Sequence, residues 1–290
     1  MSRKRQTAQS PKRPPKTPDG SVLVRTFGVT FTEGHVLKAH RHEWDQFTYA
    51  THGVLTIKTE KGTWVIPPHR AVWVPAGIEH VEVMSGPVAA RSLFFVPGLA
   101  KFLPRECTAV NVSPLLRELI LATIRVGFLD RNVPAQARLL AIILDQFEAL
   151  AQAPLQLKTP SDPRALRIAA LLESDPASAE PLRTLARQAG ASKRTIERLF
   201  KTETGVSFQQ WRQRLRVIHA LRLLASGESV TTVALDVGYS STSAFIAMFK
   251  RELGTTPRRI WKEKSATIHP NVADGRNDVA RTNATCSSRL

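Results

Sequence analysis

The side chains best suited to chemistry fall into two groups. The first is His40, His42, Gln46 and His80. Imidazole is a good ligand for a divalent transition metal and a good hydrogen-bonding partner for an organic effector. Three readings stay open here: a metal held by His40, His42 and His80, a polar effector pocket without metal, or histidines that serve structure alone. Gln46 offers a neutral amide where a charged ligand would strengthen a metal centre. The expected role of the four is therefore an effector pocket, with no cofactor assigned. Trp44, Trp64 and Trp73 are candidate walls for it, with core packing expected for at least two of them.

The second group lies near residue 195. Arg194, Glu197, Arg198 and Lys201 recur at i, i+3, i+4 and i+7, and Ile196, Leu199 and Phe200 take the other side. That spacing is a two-faced helix. Arginine forks to guanine O6 and N7, and glutamate accepts from cytosine N4, so Arg194, Glu197 and Arg198 are candidate base readers. Lys201, later on the helix, suits a phosphate. The alternative is a solvated face with i,i+4 pairs such as Glu197–Lys201.

The surrounding pattern shows what must hold these groups. Residues 21–96 carry short Val/Ile/Thr/Trp/Phe-rich runs broken by turn residues, such as Lys61-Gly62 and Pro75-Ala76-Gly77. Many short strands with regular turns predict a sandwich or small barrel. Residues 113–153 change to a helical period. Ser113-Pro114 opens one helix, with Leu115, Leu116, Leu119, Ile120 and Ile124 on its apolar face. A second, from about Pro134 to Ala151, carries Leu139, Leu140, Ile143, Phe147 and Leu150. These two helices either cover the β core or pair with a second subunit, and a partner interface is the expectation. Residues 154–162 read as a linker, and Asp162-Pro163 caps an all-helical region reaching about Lys264.

That helical region repeats itself. Leu182, Leu185-Ala186, Ala189-Gly190 and Ser192 recur as Val230, Val233-Ala234, Val237-Gly238 and Ser240, and Phe200-Lys201 and Gly205 recur as Phe249-Lys250 and Gly254. Each copy reads as helix, tight turn, helix. The Ala lets the helices cross closely, the Gly supplies positive φ, and Ser192, or Ser240 or Ser241, caps the second helix. In this geometry the second helix enters a major groove. Ser192, Lys193 and Thr195 complete the first candidate face. The second has Ser241, Thr242, Ser243, Ile246, Ala247 and Lys250 outside, with Ala244, Phe245, Met248 and Phe249 inside. Lacking arginine, it should read sequence less sharply. Gln209 to Ala225 joins the units as a helix about 25 Å long, compatible with grooves about 34 Å apart. Arg212, Arg214 and Arg216 on it are phosphate candidates or plain surface charges.

The segment from about Leu182 to Trp261 resembles the AraC/XylS-type transcription regulators. The second unit, VALDVGYSSTSAFIAMFKRELGTTPRRIW, matches their pattern at many fixed positions and departs from it at Ala247, where members commonly carry Arg on the DNA-facing side. Gly34, His40, His42, Gln46 and Gly53, followed by Pro75, Gly77 and His80, resemble the two motifs of the cupin β-barrel. In cupin enzymes those motifs bring three His and a Glu to a metal, and Gln46 stands here at the Glu position. Met84 replaces the last motif residue, usually Asn, and His69 the second motif's opening Gly. The resemblances imply an α+β chain of two domains. A cupin-like β-barrel followed by helices comes first, and an all-α domain with two helix-turn-helix units follows. The expected boundaries are 21–112 for the barrel, 113–153 for a helical dimerisation segment and 163–264 for the DNA-binding domain.

Charge agrees with a polyanion partner. The net +17 is distributed as +5 over residues 1–20, +2 over 21–162, +9 over 163–265 and +1 over 266–290. Residues 1–20 and 265–290 are polar and aperiodic and read as disordered tails. Cys107 and Cys286 form no disulfide frame or CxxC site and suit a reducing cytoplasm. They also lie outside any motif that would activate a thiol for methyl-accepting DNA repair. No apolar run suits a membrane span or a signal peptide. The expected partners are double-stranded promoter DNA, a small-molecule effector, a second copy of the chain and RNA polymerase. A metal-dependent cupin enzyme fused to a DNA-binding module is the alternative.

Overall fold

Two unusually long strands organise the amino-terminal half. In the computed structural model, which describes residues 20–148 and 156–261, these are β3 (Asp45–Thr59) and β6 (His80–Phe95). They pair antiparallel along most of their length, with register slips around Ala50, His52 and Val54. Gly53 (φ 72°) sits at the bend, where a Cβ would collide with the Pro87 carbonyl oxygen. Bulges of this kind let one strand serve two sheets. One end of the pair carries β1 (Val22–Phe31), β5 (Arg70–Val74), β7 (Thr108–Asn111) and β8 (Phe128–Asp130), in the order β7-β5-β3-β6-β1-β8. The other end carries β2 (Val36–His40) on β6 and β4 (Gly62–Ile66) on β3.

Side chains alternate across this curled sheet, as a period of two requires. Ala50, Val72, Val74, Met84 and Ala90 join Leu55, Ile57 and Trp64 in an inner core. Phe47, Tyr49, Trp73, Leu93 and Phe95 face the other way. That second face is covered by α1 (Pro114–Val126) and α2 (Pro134–Glu148), through Leu116, Ile120, Leu140, Ile143 and Phe147. Phe147 stacks on Phe47 at 4.5 Å between ring centroids. Ser113 caps α1 by accepting from Leu116 N. The buried faces of these helices are thus consumed by their own sheet. Leu115, expected on the apolar face, is 54% exposed, because α1 meets the sheet along Leu116 and Ile120 instead. Leu150 and Ala151 lie outside the described residues, as do residues 1–19, Lys264 and the segment 265–290. Trp64 and Trp73 are core residues, and half-buried Trp44 stacks under Arg25 at 4.4 Å.

The carboxy-terminal half is helical: α3 (Pro163–Ser174), α4 (Leu182–Gln188), α5 (Lys193–Thr204), α6 (Phe208–Ala225), α7 (Val230–Asp236), α8 (Thr242–Leu253) and α9 (Pro257–Ile260). Its axis is α6, buried on several sides through Trp211, Leu215, Ile218, Leu221 and Leu224. Within the stretch read as a linker, Gln156–Lys158 form β9, which pairs with β4. Leu157 enters the helical core beside Val54 and Val65, and Trp211 Nε1 donates to Lys158 O at 2.9 Å. Glu203 accepts from the backbone N–H groups of Ser161 and Asp162. Gly86 lies so close to the Ala225 carbonyl at the end of α6 that a Cβ would collide with it.

Candidate nucleic-acid interface and histidine cluster

The tandem repeat of the sequence becomes two units with the same order of helix, glycine turn, serine cap and helix. α4 and α7 begin 48 residues apart, while α5 and α8 begin 49 apart, so the extra residue falls in the second turn. Gly190 (φ 74°) and Gly238 (φ 81°) take the left-handed conformation the turns require. Ser192 caps α5, and Ser241 rather than Ser240 caps α8. Both helices end at a left-handed glycine, Gly205 and Gly254.

α5 buries Ile196, Leu199 and Phe200 and exposes Lys193, Arg194, Glu197, Arg198 and Lys201. Glu197 pairs with Lys193 at 3.6 Å, not with Lys201. Lys201 Nζ donates to Gly205 O at the helix end. Ser192 and Thr195 are bonded to each other at the first turn. Arg194 and Arg198 carry no ion pair among the described residues, so both guanidinium forks are available to a ligand. α8 buries Phe245, Met248 and Phe249 and exposes Ser241, Ser243, Ala247 and Lys250, with Thr242 half-buried. Ala244, expected inside, is exposed, because the core is filled by Phe245 and Met248. Ile246, expected outside, is half-buried and packs against the core.

Two of the phosphate candidates on α6 are otherwise engaged. Arg212 donates to Glu180 O and Ser178 O, and Arg216 donates to the carbonyls of Pro176, Ala177 and Ser178. Arg216 also lies 5.7 Å from the Tyr239 ring. Together they staple the α3–α4 loop across the second turn, a role that sequence spacing alone does not signal. Arg214 is half-exposed.

The four effector-pocket residues also come together. The ring centroids of His40, His42 and His80 lie 4.4–5.4 Å apart, and one ligand atom from each falls within 4.8 Å of the others. β2 supplies His40, the following loop His42, and the start of β6 His80. His40 Nδ1 meets Lys38 O at 2.7 Å, and His80 Nδ1 meets Ile78 O at 2.9 Å. Burial, then the neighbouring His40 and His80, lowers the His42 pKa to about 4, so its ring is neutral at pH 7. Gln46 Nε2 donates to Thr48 Oγ1 at 2.8 Å and to Glu82 Oε1 at 3.0 Å. Glu82 was not singled out in the sequence. It lies on β6 two residues after His80; burial pushes its carboxyl pKa up, but the neighbouring His80 and His40 and the Gln46 hydrogen bond outweigh that and hold it below the usual value. Buried Cys107 is a poor nucleophile, since burial pushes its thiol up to about 12. Cys286 lies outside the described residues.

Comparison with known proteins covers both halves. Residues 185–263 match a helix-turn-helix domain family, and residues 31–174 match the AraC-like ligand binding domain. The chain is 36% identical over 234 residues to the HTH-type transcriptional regulator NimR of Escherichia coli (strain K12), spanning 81% of this chain and 85% of NimR. It is 40% identical over 98 residues to the HTH-type transcriptional regulator RipA of Corynebacterium glutamicum, spanning 34% of this chain and 30% of RipA. A solved DNA-binding domain, that of AdpA in complex with a target DNA, is 37% identical, with 34% of this chain and 89% of that chain covered and a TM-score of 0.32.

Proposed function

This chain belongs to the AraC family of transcription regulators, and on that premise we propose that α5 is its sequence-reading helix and α8 its positioning clamp. It is a DNA-binding regulator with a ligand-binding amino-terminal domain. The observation that carries the assignment is the pair of exposed, unpaired arginines on α5, against an α8 face of short hydroxyls and Ala247. Arg194 and Arg198 fork to guanines, Glu197 accepts from a cytosine, and Lys193, Lys201 and Lys250 meet phosphates. Ser192 and Thr195, and Ser241, Thr242 and Ser243, hold the first turns of the two helices at the backbone. Exposed Ala247 offers contact to a thymine methyl.

The barrel senses a small molecule at His40, His42, Gln46 and His80, and transmits it through β9 and α6, which share one core with the sheet. An effector acts there only by binding one conformation better than another. The exposed Leu115 and Ile142 on α1 and α2 are available to a second copy, so the regulator works as a homodimer that meets RNA polymerase at promoters. Its site of action is the cytoplasm; no described helix is long and apolar enough to cross a membrane.

Selection of bound sequences from random double-stranded DNA tests the assignment. The expected site is asymmetric, with one sharply defined half, and Arg198→Ala relaxes one position within that half. Two halves of equal sharpness, both untouched by Arg198→Ala, would overturn it.

A further inference from the structure

We propose that the histidine cluster binds a divalent transition-metal ion through one ring nitrogen each of His40, His42 and His80 and through the carboxylate of Glu82. The proposal rests on reading this cluster as a ligand site and names the chemistry of the ligand.

The donor set is built and aimed. The Nδ1 atoms of His40 and His80 each face a backbone carbonyl, which only accepts, so each Nδ1 carries the proton. That leaves a lone pair on each Nε2. Metal-binding histidines are oriented in just this way, by a hydrogen bond from the nitrogen opposite the metal. His80 is 2% exposed, and its Nε2 has no hydrogen-bond partner among the described residues. The three candidate nitrogens lie within 4.8 Å of one another, and ligand atoms around one tetrahedral ion stand about 3.4 Å apart. Closing that gap takes movement of roughly 1 Å, and His40 and His42 sit half-exposed where such movement is free.

Glu82 supplies the charge that Gln46 lacks. The motif position for an anionic ligand is occupied by the amide, but Gln46 Nε2 donates to Glu82 Oε1 at 3.0 Å and so turns that carboxylate toward the histidines. Glu82 Oε1 then lies 3.7 Å from His80 Nε2, too long for a good hydrogen bond and close to the spacing of two ligands on one ion. The carboxylate is 4% exposed, and its remaining lone pairs are open to a cation. Gln46 Oε1 is buried without a partner among the described residues as well. The site therefore presents acceptors: two Nε2 lone pairs, a carboxylate and an amide oxygen, while the Gln46 donors are spent on Thr48 and Glu82. A cation satisfies the lone pairs and the carboxylate at once, and an anionic effector alone satisfies none of them. Three imidazoles and one carboxylate suit zinc, cobalt, nickel, iron or manganese over calcium or magnesium, which prefer oxygen.

The test is a titration of the full chain, freed of metal by a chelator, with Zn²⁺ and Co²⁺ followed by calorimetry and by cobalt absorption in the visible. The expected result is one equivalent bound, with a rise in melting temperature. His42→Ala loses that equivalent. Glu82→Gln retains an oxygen for the Gln46 hydrogen bond and weakens binding at least tenfold. His40→Ala, at the exposed rim, repeats the test should Glu82→Gln fail to fold. Less than half an equivalent bound by the wild type, or one equivalent undiminished in His42→Ala and His40→Ala, overturns the site. Unchanged affinity in a folded Glu82→Gln protein removes Glu82 from it. DNA affinity with and without metal is read separately. Stoichiometric metal with unmoved DNA affinity would defeat the sensing reading and leave the metal site standing. No metal, but altered DNA affinity in His42→Ala, would do the reverse.

Discussion

The two helix-turn-helix units share a frame and differ in what surrounds it. Each has a seven-residue first helix, a left-handed glycine turn, a serine cap, a twelve-residue second helix and a glycine stop. Around Gly190 nothing lies within 4 Å of where a Cβ would stand. Around Gly238 the Ala177 carbonyl oxygen would be 2.7 Å away and an Arg216 nitrogen 2.9 Å away. The first turn is open, and the second is crossed by a loop that α6 staples down. The exposed side of α5 carries two unpaired arginines, and the corresponding part of α8 carries none. Framework and reading face vary independently: the unit more firmly built into the protein is the one with less to say to a base. The AraC-like signature is densest in that second unit, as expected if the signature records packing rather than readout.

The sharpest way to break this comparison is at the glycines. Gly190→Ala meets only the left-handed backbone and should cost about 1–2 kcal/mol. Gly238→Ala meets the same backbone penalty and a collision with the stapled loop, for a total on the order of 3 kcal/mol or more. Urea unfolding of the two variants measures both. Equal losses would show that the loop yields freely and that the second turn is no more constrained than the first.

On DNA, the contrast should reverse. Arg198→Ala in α5 is expected to weaken binding to the preferred site by about 1–3 kcal/mol and to relax one base position. Ser243→Ala in α8 should cost well under about 1 kcal/mol, since at most one neutral hydrogen bond is lost. Both are read by competition binding at fixed salt, because counterion release makes affinities at different salt incomparable. A larger loss from Ser243→Ala would exchange the roles of the two helices.

How much of this contrast was legible in the sequence depends on the range of the interaction. The repeat, its turns, the two faces of α5 and the cap at Ser192 are local, set by periodicity and by residues a turn or less apart, and they stand in the structure where expected. So does the gathering of His40, His42 and His80, which the barrel motif encodes. The features that were not legible are joined across long separations. Arg216 reaches residues 176–178 and Trp211 reaches Lys158, while β8 and β9 are three-residue strands whose only signal is the edge they join. Nothing in its local pattern singles out Glu82; only the pairing of β6 places it between Gln46 and His80. Ala244 and Ile246 stand at the border between the two faces of α8, where the placement of Phe245 and Met248 decides which of them is covered.

A smaller effect would sharpen the comparison by engineering. Ala247 is exposed on α8, on a face that presents no arginine at the position matching Arg198. Ala247→Arg should tighten DNA binding by roughly 1 kcal/mol, the lower end for a bidentate contact, and add a preference for guanine in the weaker half-site. Selection from random DNA with this variant shows whether that half acquires a defined base. A gain in affinity that is uniform across all sequences would mean that the new guanidinium meets phosphate, and that α8 stands too far from the groove floor to read.

The smallest contrast expected is at the caps, where the two units should be alike. Ser192 Oγ accepts from Thr195 N at 3.1 Å, and Ser241 Oγ accepts from Ala244 N at 3.2 Å. Each satisfies one otherwise unpaired N–H at a helix start, and each alanine variant should lose about 1 kcal/mol of stability. Their effects on DNA need not be equal. Removing the Ser192 hydroxyl also frees Thr195 Oγ1, its partner at 2.9 Å, and loosens the turn that carries Arg194. Ser241 has no such neighbour to release, because Ala244 follows three residues on. Measured at a temperature where both variants are fully folded, Ser192→Ala should therefore weaken specific binding more than non-specific binding, and Ser241→Ala should weaken the two equally. The same ratio for both would place the caps outside recognition altogether and leave the arginines as the whole difference between the units.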